Sequence, residues 1–445
     1  MLTVPGDASE HRTFPAEQTL DIVDGVRARC CPGHIVPFVV HAVPVSRASN
    51  IDVHNPAFDF HREVRYSDSV SGDLLATSES NPTVGDGTVK TAFIELLGKL
   101  SESHGGSAAE GKIRAHLRTE LDKEGTADKT GNLCFYSQGR SKNPVVMLAA
   151  HMDEVGLAVH SITEDGYVRF VAMGGFWKPT LLAQRFTLLT RSGEELTGIV
   201  ATKPVHLLSK SEKEGCPDID AMFLDVGATS AEQAREEFGI RPGDPVVPDV
   251  EFGPTKNPDL FVGKAFDDRA GLAVGTQVVK SLSGSHPNTV CLAATVQEEL
   301  GCRGARTVSE KVKPDVCLIL EGAPADDFPG SSADEHQGAL GEGPQVRVMD
   351  PSAVMNRGLV DLVQDMAEEN DIPCQTAVRR SGGTDARSIH LAGEGVPCVV
   401  IGVPARYIHT PHCLLDINDC LNTVNLVSAL IQKMDQDTVT DLTAF

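Results

Sequence analysis

The chain has 445 residues, of which 41% are hydrophobic and 23% are charged, a composition that suits one large folded core or two moderate ones. Its 62 acidic and 39 basic residues leave a formal net charge of -23, which repels nucleic-acid phosphates and anionic lipid headgroups. No apolar run approaches the roughly 20 residues of a membrane-spanning helix, because the best early candidate, residues 35–45, is short and contains two prolines. We therefore expect neither nucleic-acid binding nor a membrane role.

The N-terminal residues and the cysteines predict a cytoplasmic protein. Residues 1–34 mix acids, prolines and scattered arginines, and so lack the basic segment and compact apolar run of a secretory signal. The 11 cysteines are an odd number, and several lie within apolar runs, which is typical of buried reduced thiols. A disulfide framework is not expected.

Residues 1–87 are predicted to be a weakly ordered N-terminal extension. They are rich in Pro, Gly, Ser and Asp and show no sustained hydrophobic periodicity. Five histidines and the pair Cys30 and Cys31 suggest a metal-binding tail as an alternative, but their spacing matches no standard zinc pattern. Scattered residues in a flexible leader are the favoured interpretation.

From residue 88 onward the pattern is that of a folded α/β domain. Apolar residues recur at helical spacing over 89–100 and again over 113–121, which predicts two amphipathic helices. Beyond them, short apolar runs alternate with helical patterns, as in a mostly parallel sheet flanked by helices. The predicted strands are residues 145–150, 289–296, 316–320 and 396–403, with further helices over 268–282 and about 419–434.

A segment from about residue 170 to 256 breaks this alternation. It contains several short strand-like runs separated by turn signals, such as 186–190 and 196–200, and only one short helix. We therefore predict an inserted β-rich domain. The α/β domain would then be discontinuous, with its two parts at residues 88–169 and 257–445.

Four predicted strands end in, or are soon followed by, side chains that bind metals well. These are His151, the pair Glu298 and Glu299, Glu321, and His409, while another carboxylate pair, Asp267 and Asp268, begins a predicted helix. Functional residues of open α/β sheets gather outside the carboxyl ends of the strands, so these groups are expected to converge. Crowded buried carboxylates repel unless a cation intervenes, and mixed His and carboxylate ligands suit zinc, cobalt or manganese. Taken singly, each residue has a structural alternative as a helix cap or ion-pair partner.

The adjacent carboxylates Glu298 and Glu299 are expected to have different roles, because successive side chains at a strand end point in different directions. One would bind metal while the other transfers protons. A glycosidase role for the pair conflicts with geometry, since those enzymes hold two carboxyls about 5 Å or more apart on opposite sides of a sugar bond. Asp153 can hydrogen-bond the ring nitrogen of His151 that a metal leaves free, and so set its tautomer.

Five segments resemble the signature segments of M42-family metallo-aminopeptidases, which include glutamyl and deblocking aminopeptidases and the TET enzymes. They are residues 151–156 (HMDEVG), 263–269 (GKAFDDR), 296–299 (VQEE), 381–386 (SGGTDA) and 406–411 (RYIHTP). The match extends in order from about residue 88 to the C-terminus. Because the inserted segment occupies the position of the family's dimerisation domain, the resemblance implies a zinc-peptidase-like fold with a β-barrel-like dimerisation domain inserted.

The resemblance also implies roles for individual residues. The metal ligands that it implies are His151, Asp267, Glu299, Glu321 and His409. Asp267 would bridge two metals, one histidine would bind each of them, and the peptide bond after Asp267 would be cis. Glu298 would be the general base, and Asp153 is counted with it among the catalytic residues. Many relatives have Asp at the position of Glu321, a difference that bears on metal preference.

The segment Gly382, Gly383, Thr384 and Asp385 is the predicted substrate-binding segment. Its small residues would form a tight turn that lets a substrate backbone approach closely. A plain loop without a binding role is the alternative, because glycine-rich turns are common.

Together these features predict an aminopeptidase with two divalent metal ions per chain, zinc first and cobalt or manganese as alternatives. Its expected partners are peptide substrates and copies of itself, since the resemblance implies dimers that assemble into a dodecamer. The alternatives are a metal-dependent deacylase or carboxypeptidase on the same scaffold, a glycan hydrolase, and a catalytically silent assembly subunit. The sequence does not determine the preferred N-terminal residue, because pocket-lining residues are spread over loops.

Overall fold

The structure is a computed structural model that describes residues 87–332 and 335–444. The N-terminal extension, with its histidines and the Cys30 and Cys31 pair, lies outside the described residues. The helices are α1 (Gly87–Glu102), α2 (Gly111–Leu121), α3 (Lys210–Lys213), α4 (Phe266–Ser281), α5 (Arg303–Val312), α6 (Arg357–Glu369), α7 (Ala386–Ile389), α8 (Ile417–Lys433) and α9 (Gln436–Asp441).

The strands belong either to one large sheet or to a separate barrel. Those of the sheet are β1 (Thr126–Ala127), β2 (Leu133–Gln138), β3 (Val145–His151), β10 (Gly253–Pro254), β11 (Leu260–Gly263), β12 (Thr289–Thr295), β13 (Val316–Pro324), β14 (Gln345–Asp350), β15 (Ala353–Val354), β16 (Gln375–Val378), β17 (Cys398–Arg406) and β18 (Cys413–Asp416). Those of the barrel are β4 (Gly156–Ile162), β5 (Val168–Met173), β6 (Arg185–Leu189), β7 (Glu195–Ala201), β8 (Phe223–Asp225) and β9 (Pro245–Pro248).

The centre of the large sheet is parallel, with neighbouring strands in the order β12, β3, β13 and β17. Strands at its margins are mainly antiparallel, so the sheet as a whole is mixed. Almost every residue of the central strands is buried, because helices flank the sheet, and the side chains are correspondingly apolar along the strand. The predicted α/β fold is confirmed.

Helix α4 packs against the parallel strands, and glycines permit its close approach. A Cβ atom on Gly271 would lie 2.8 Å from the backbone of Leu320 in β13, and one on Gly275 would lie 2.6 Å from Leu292 in β12. The backbone of Leu320 cannot move aside, so only glycine fits at position 271, whereas a side chain at position 275 would have to displace the end of the Leu292 side chain. This packing brings the start of α4, where Asp267 lies, next to the carboxyl ends of β3 and β13.

The six strands β4 to β9 form a closed antiparallel barrel with its own apolar interior. The barrel strands extend from Gly156 to Pro248, so two of the six begin before residue 170, where the sequence analysis places the start of the insertion. The division of the chain into domains stays a prediction. Among the described residues, no helix combines the length and apolar character needed to cross a bilayer.

The predicted strands and helices agree with the observed ones to within a few residues, with one informative difference. Strand β13 continues to Pro324 instead of ending at residue 320, because it pairs with β17 over that whole length. Glu321 is therefore a residue within a strand, not one that follows it. Its side chain is buried.

Candidate metal centre

The predicted ligands converge at the carboxyl edge of the parallel strands. His151 is the last residue of β3, the two glutamates follow β12, Glu321 lies in β13, His409 follows β17, and Asp267 lies at the start of α4. A cavity of about 300 Å³ opens onto this cluster. The convergence is a consequence of the parallel order, since neighbouring parallel strands end at the same edge.

His151 presents one ring nitrogen to two carboxylates. Its Nε2 atom lies 2.9 Å from Asp267 Oδ1 and 3.3 Å from Glu321 Oε1. The other nitrogen, Nδ1, lies 3.0 Å from the main-chain oxygen of Asp153 and donates its proton there. A neutral His151 with its proton on Nδ1 therefore directs the Nε2 lone pair at the carboxylates, the arrangement that a metal ligand requires.

His409 repeats this arrangement on the other side of the cluster. Its Nε2 atom lies 3.3 Å from Asp267 Oδ2 and 3.5 Å from Glu299 Oε1. Its Nδ1 atom lies 2.8 Å from the main-chain oxygen of Gly175, which fixes the tautomer in the same way. A side chain on Gly175 would lie 3.3 Å from this ring, so the small residue also leaves room for the imidazole.

Asp267 lies between the two histidines, with one carboxylate oxygen facing each ring. The peptide bond to Asp268 is cis, as the resemblance implies. Gly322 permits this placement, because a Cβ atom there would lie 2.5 Å from the Asp267 Cα atom. Asp268 itself is fully buried and accepts hydrogen bonds from the backbone amides of His151 and Gly271. It therefore links the end of β3 to the start of α4.

The donor set suits divalent cations. Burial raises the pKa of Glu299 to about 8 and that of Glu321 to about 7, and the nearby Asp267 carboxylate adds to both rises. Glu299 Oε1 is buried and accepts no hydrogen bond from any described residue, although it faces His409. Burial opposes charge on His409 as well, yet hydrogen bonding to Asp267 raises its pKa to about 10. Cations would relieve the repulsion that otherwise keeps protons on these carboxylates.

Glu298 and Glu299 point in different directions, as their adjacency predicts. Glu299 faces His409, whereas Glu298 Oε1 accepts a hydrogen bond from the Cys302 thiol at 3.2 Å. Burial and nearby carboxylates, including Glu321, raise the pKa of Glu298, although the closeness of His151 opposes the rise. Glu298 lines the cavity without facing either histidine, so its carboxylate is available for proton transfer.

Asp153 contacts both the glutamate pair that follows β12 and His151 at the end of β3. Its carboxylate accepts hydrogen bonds from the backbone amides of Glu298 at 2.9 Å and Glu299 at 3.3 Å, and from the Ser107 hydroxyl at 2.6 Å. Its Oδ1 atom also lies 3.5 Å from His151 Nδ1. This geometry positions both glutamates relative to His151, a wider function than the predicted control of one tautomer. A catalytic role for Asp153 stays a prediction.

The predicted substrate-binding segment divides between the cavity and the interior. Gly382, Gly383 and Thr384 line the cavity, next to the glutamates. Asp385 is buried and absent from the cavity wall, and it accepts a hydrogen bond from the Thr295 hydroxyl at the end of β12. Its role, like that of the three cavity residues, stays a prediction.

A buried ion cluster lies beside the site. Glu154 forms ion pairs with Lys264 at 2.6 Å and Arg269 at 3.2 Å, and all three side chains are almost fully buried. Lys264 and Arg269 flank Asp267 in the chain, so their anchoring to Glu154 holds that segment against the residues that follow β3.

Several residues of the site were not found from the sequence. These residues contact predicted site residues or line the cavity: Gly175, Ser107, Cys302, Arg347, Arg379 and Arg387. Arg387 follows the SGGTDA segment directly, Arg379 lies two residues before it, and Cys302 lies three residues after Glu299, so their positions beside predicted site segments were the usable signal. Gly175 and Ser107 are distant in the chain from the residues they contact, and no local pattern indicates such contacts.

Comparison with known proteins identifies the family of the chain. The profile of the M42 glutamyl aminopeptidase family matches residues 131–426. The glutamyl aminopeptidase of Lactococcus lactis subsp. cremoris is 35% identical over 359 residues, a match that covers 78% of this chain and 99% of that protein.

Solved structures share the fold. The TET aminopeptidase of the marine sediment archaeon Thaumarchaeota archaeon SCGC AB-539-E09 is 39% identical, with a TM-score of 0.76 over 79% of this chain and 99% of its own. The Pyrococcus horikoshii TET1 peptidase, described as able to assemble into a tetrahedron or a large octahedral shell, is 29% identical, with a TM-score of 0.68 over 77% of this chain and 100% of its own. The chain therefore belongs to the M42 glutamyl aminopeptidase family and is a metal-dependent aminopeptidase.

Proposed function

We propose that the site binds two divalent ions, with zinc preferred, and that Glu298 is the general base of peptide hydrolysis at the N-terminus. The observation that carries this proposal is the position of Asp267, whose two carboxylate oxygens each face one histidine. His151 with Glu321 would then hold one ion and His409 with Glu299 the other. Imidazole with carboxylate ligands suits zinc, and also cobalt and manganese.

The roles of the residues follow from their surroundings. When bound, two divalent ions lower the pKa of the attacking water and polarise the scissile carbonyl. Glu298 would take the proton of that water and deliver it to the leaving amine, because its carboxylate lines the cavity without facing either histidine. Asp153 would hold Glu298 and Glu299 at fixed positions through their backbone amides.

Metal reconstitution tests the proposal. Chelator-treated protein should show no turnover on aminoacyl substrates, and activity should return as the metal content reaches two equivalents of zinc, cobalt or manganese per chain. The measurement combines rates on a panel of aminoacyl substrates with metal counting. Two bound ions without N-terminal cleavage would favour the deacylase or carboxypeptidase alternative. Absence of bound metal would overturn the mechanism.

The charge of the cavity supports a preference for acidic N-terminal residues. Three arginines line it, and two of them are paired, Arg347 with Asp350 at 3.2 Å and Arg379 with Asp326 at 2.9 Å. Arg387 is exposed, and its side chain forms no hydrogen bond or ion pair with another described residue. Two divalent ions would balance the four carboxylates of the cavity wall, and two of the arginines are balanced by their aspartate partners, so Arg387 leaves an excess of positive charge.

Substitution of Arg387 tests this preference. Arg387→Ala is expected to lower kcat/KM on a glutamyl substrate by about tenfold, the effect of losing one charged hydrogen bond, and to leave a leucyl substrate unaffected. The matched control is Arg380→Ala, since Arg380 is also exposed but does not line the cavity. An equal loss on both substrates would contradict the role of Arg387 in residue selection. The glutamyl aminopeptidase name of the Lactococcus relative supports the same preference.

The assembly described for the Pyrococcus horikoshii peptidase supports an oligomer, and the cysteines support a cytoplasmic location. We place the dimer contact on the barrel, where large apolar side chains are exposed, among them Val171, Trp177, Ile199 and Leu207. Assembly of dimers into a dodecamer would follow the tetrahedral form described for the Pyrococcus horikoshii peptidase. The free cysteines of the described residues, most of them buried, support a reducing compartment.

A further inference from the structure

A second group of metal-binding side chains adjoins the candidate centre. A carboxylate oxygen of Glu298, the Sγ atom of Cys302 and a carboxylate oxygen of Asp385 lie within 4.8 Å of one another. None of the three faces His151 or His409, and Cys302 and Asp385 are almost fully buried. The group is therefore distinct from the two ligand sets that share Asp267.

One oxygen of the buried Asp385 carboxylate has no hydrogen-bond partner among the described residues. Its Oδ2 atom accepts a hydrogen bond from Thr295, but Oδ1 is buried and has no hydrogen-bond partner among the described residues. A buried carboxylate oxygen without a donor is costly, because nothing replaces the water that it loses on folding. Asp385 can therefore contribute an oxygen ligand without breaking an existing bond.

Cys302 supplies a ligand of a different kind. Its Sγ atom lies 3.2 Å from Glu298 Oε1 and 3.3 Å from the main-chain oxygen of Thr384, so the thiol is held against the two carboxylates. Cys302, Glu298 and Thr384 all line the cavity, so an ion entering from solvent can reach the sulfur. One thiolate with two carboxylates suits zinc and cadmium, whereas magnesium and calcium prefer oxygen ligands alone.

We propose that Glu298, Cys302 and Asp385 form a third, inhibitory site for a thiophilic divalent ion such as zinc or cadmium. Binding replaces the thiol proton, so that a sulfur–metal bond forms and one proton is released to solvent, with no change in oxidation state. The thiolate and two carboxylates carry three negative charges, which compensate the charge of the added ion. Because Glu298 becomes a ligand, its carboxylate can no longer accept a proton. This consequence rests on the proposed role of Glu298 as general base.

Cadmium titration of the chelator-treated full chain tests the site directly. If cadmium supports catalysis, the first two equivalents of cadmium should restore turnover. If it does not, two equivalents of zinc are added first to restore turnover, and cadmium is titrated afterwards. A third, weaker equivalent should then bring an ultraviolet thiolate-to-cadmium absorption band, and turnover should fall as the band grows. Magnesium in the same excess should neither inhibit nor produce a band.

Substitutions separate this site from other thiols. In Cys302→Ser the band of the third equivalent should be absent, and the metal concentration for half-inhibition should rise by at least tenfold. Cys216→Ser is the matched control, because Cys216 is an exposed free cysteine outside the cavity, and it should keep both the band and the inhibition. Asp385→Asn is a second variant that should weaken the third equivalent while the thiol remains.

The possible outcomes distinguish the two proposals. Absence of turnover at two equivalents of every metal would contradict the proposed function. Turnover that never falls in excess zinc or cadmium would contradict the third site alone. An unchanged band or unchanged inhibition in Cys302→Ser would also overturn it, as would inhibition by magnesium equal to that by cadmium.

Discussion

Replacing Glu298 with glutamine is expected to leave both metal ions bound while lowering kcat by about 100-fold to 10,000-fold, the range that a general base contributes. The amide oxygen of glutamine can still accept the hydrogen bond from the Cys302 thiol, so the change removes proton transfer with little effect on packing. Metal content and steady-state rates on the preferred aminoacyl substrate measure the two effects separately.

The control for this substitution is Glu310→Gln on α5, where the side chain is exposed and does not line the cavity. It should retain the parent rate and the parent metal content. Normal turnover in Glu298→Gln would remove the general-base assignment. Loss of metal in that variant would instead make Glu298 a ligand, which would contradict the assignment of the two ligand sets to His151 with Glu321 and His409 with Glu299.

Replacing Asp267 with alanine is expected to weaken both metal ions together. Each histidine faces a different oxygen of this one carboxylate, so its removal takes one ligand from each set. We expect affinity for both ions to fall by more than about 100-fold, since even residues that only orient ligands contribute about 10-fold to 100-fold. Turnover should fall with the metal content, which competitive chelator titration measures.

Two comparisons sharpen this test. His409→Ala should weaken one ion and leave the other close to its original affinity, because His151 and Glu321 stay in place. Asp259→Ala removes an acid that pairs with Lys90 outside the cavity, and it should change neither ion. If Asp267→Ala retained two ions at the original affinity, the bridging role would be wrong. Thermal unfolding of each variant checks that the fold is intact.

Much of the candidate site could be predicted because its signals are local. Buried parallel strands are apolar along their length, so an imidazole or carboxylate at the end of such a run is conspicuous, as with His151 after VVMLAA. The rule that parallel strands end at a common edge then brings these residues together without knowledge of strand order. The same pattern misplaced the end of β13, since Gly322 to Pro324 are not typical strand residues and are held there by pairing with β17.

The directions of Glu298 and Glu299 show where local reasoning ends. Their adjacency predicts different directions but not which glutamate faces the metals. That choice depends on the turn after β12, where Gln297 and Cys302 adopt positive φ values of 55° and 54° and the Asp153 carboxylate binds the glutamate amides. Asp153 lies 145 residues away from Glu298, so this constraint exists only once the strands are packed.

The sequence by itself determined the α/β class, the ligand types and their positions at strand ends, because hydrophobic periodicity and residue chemistry are properties of short segments. Only the tertiary structure decided which atoms meet: the two oxygens of Asp267 between the histidines, the Gly175 carbonyl on His409 from 234 residues away, and Cys302 between Glu298 and Asp385. These contacts join segments with no common periodicity, and their distances are set by the packing of α4, the β12 turn and the loops around the cavity, so no single segment encodes them.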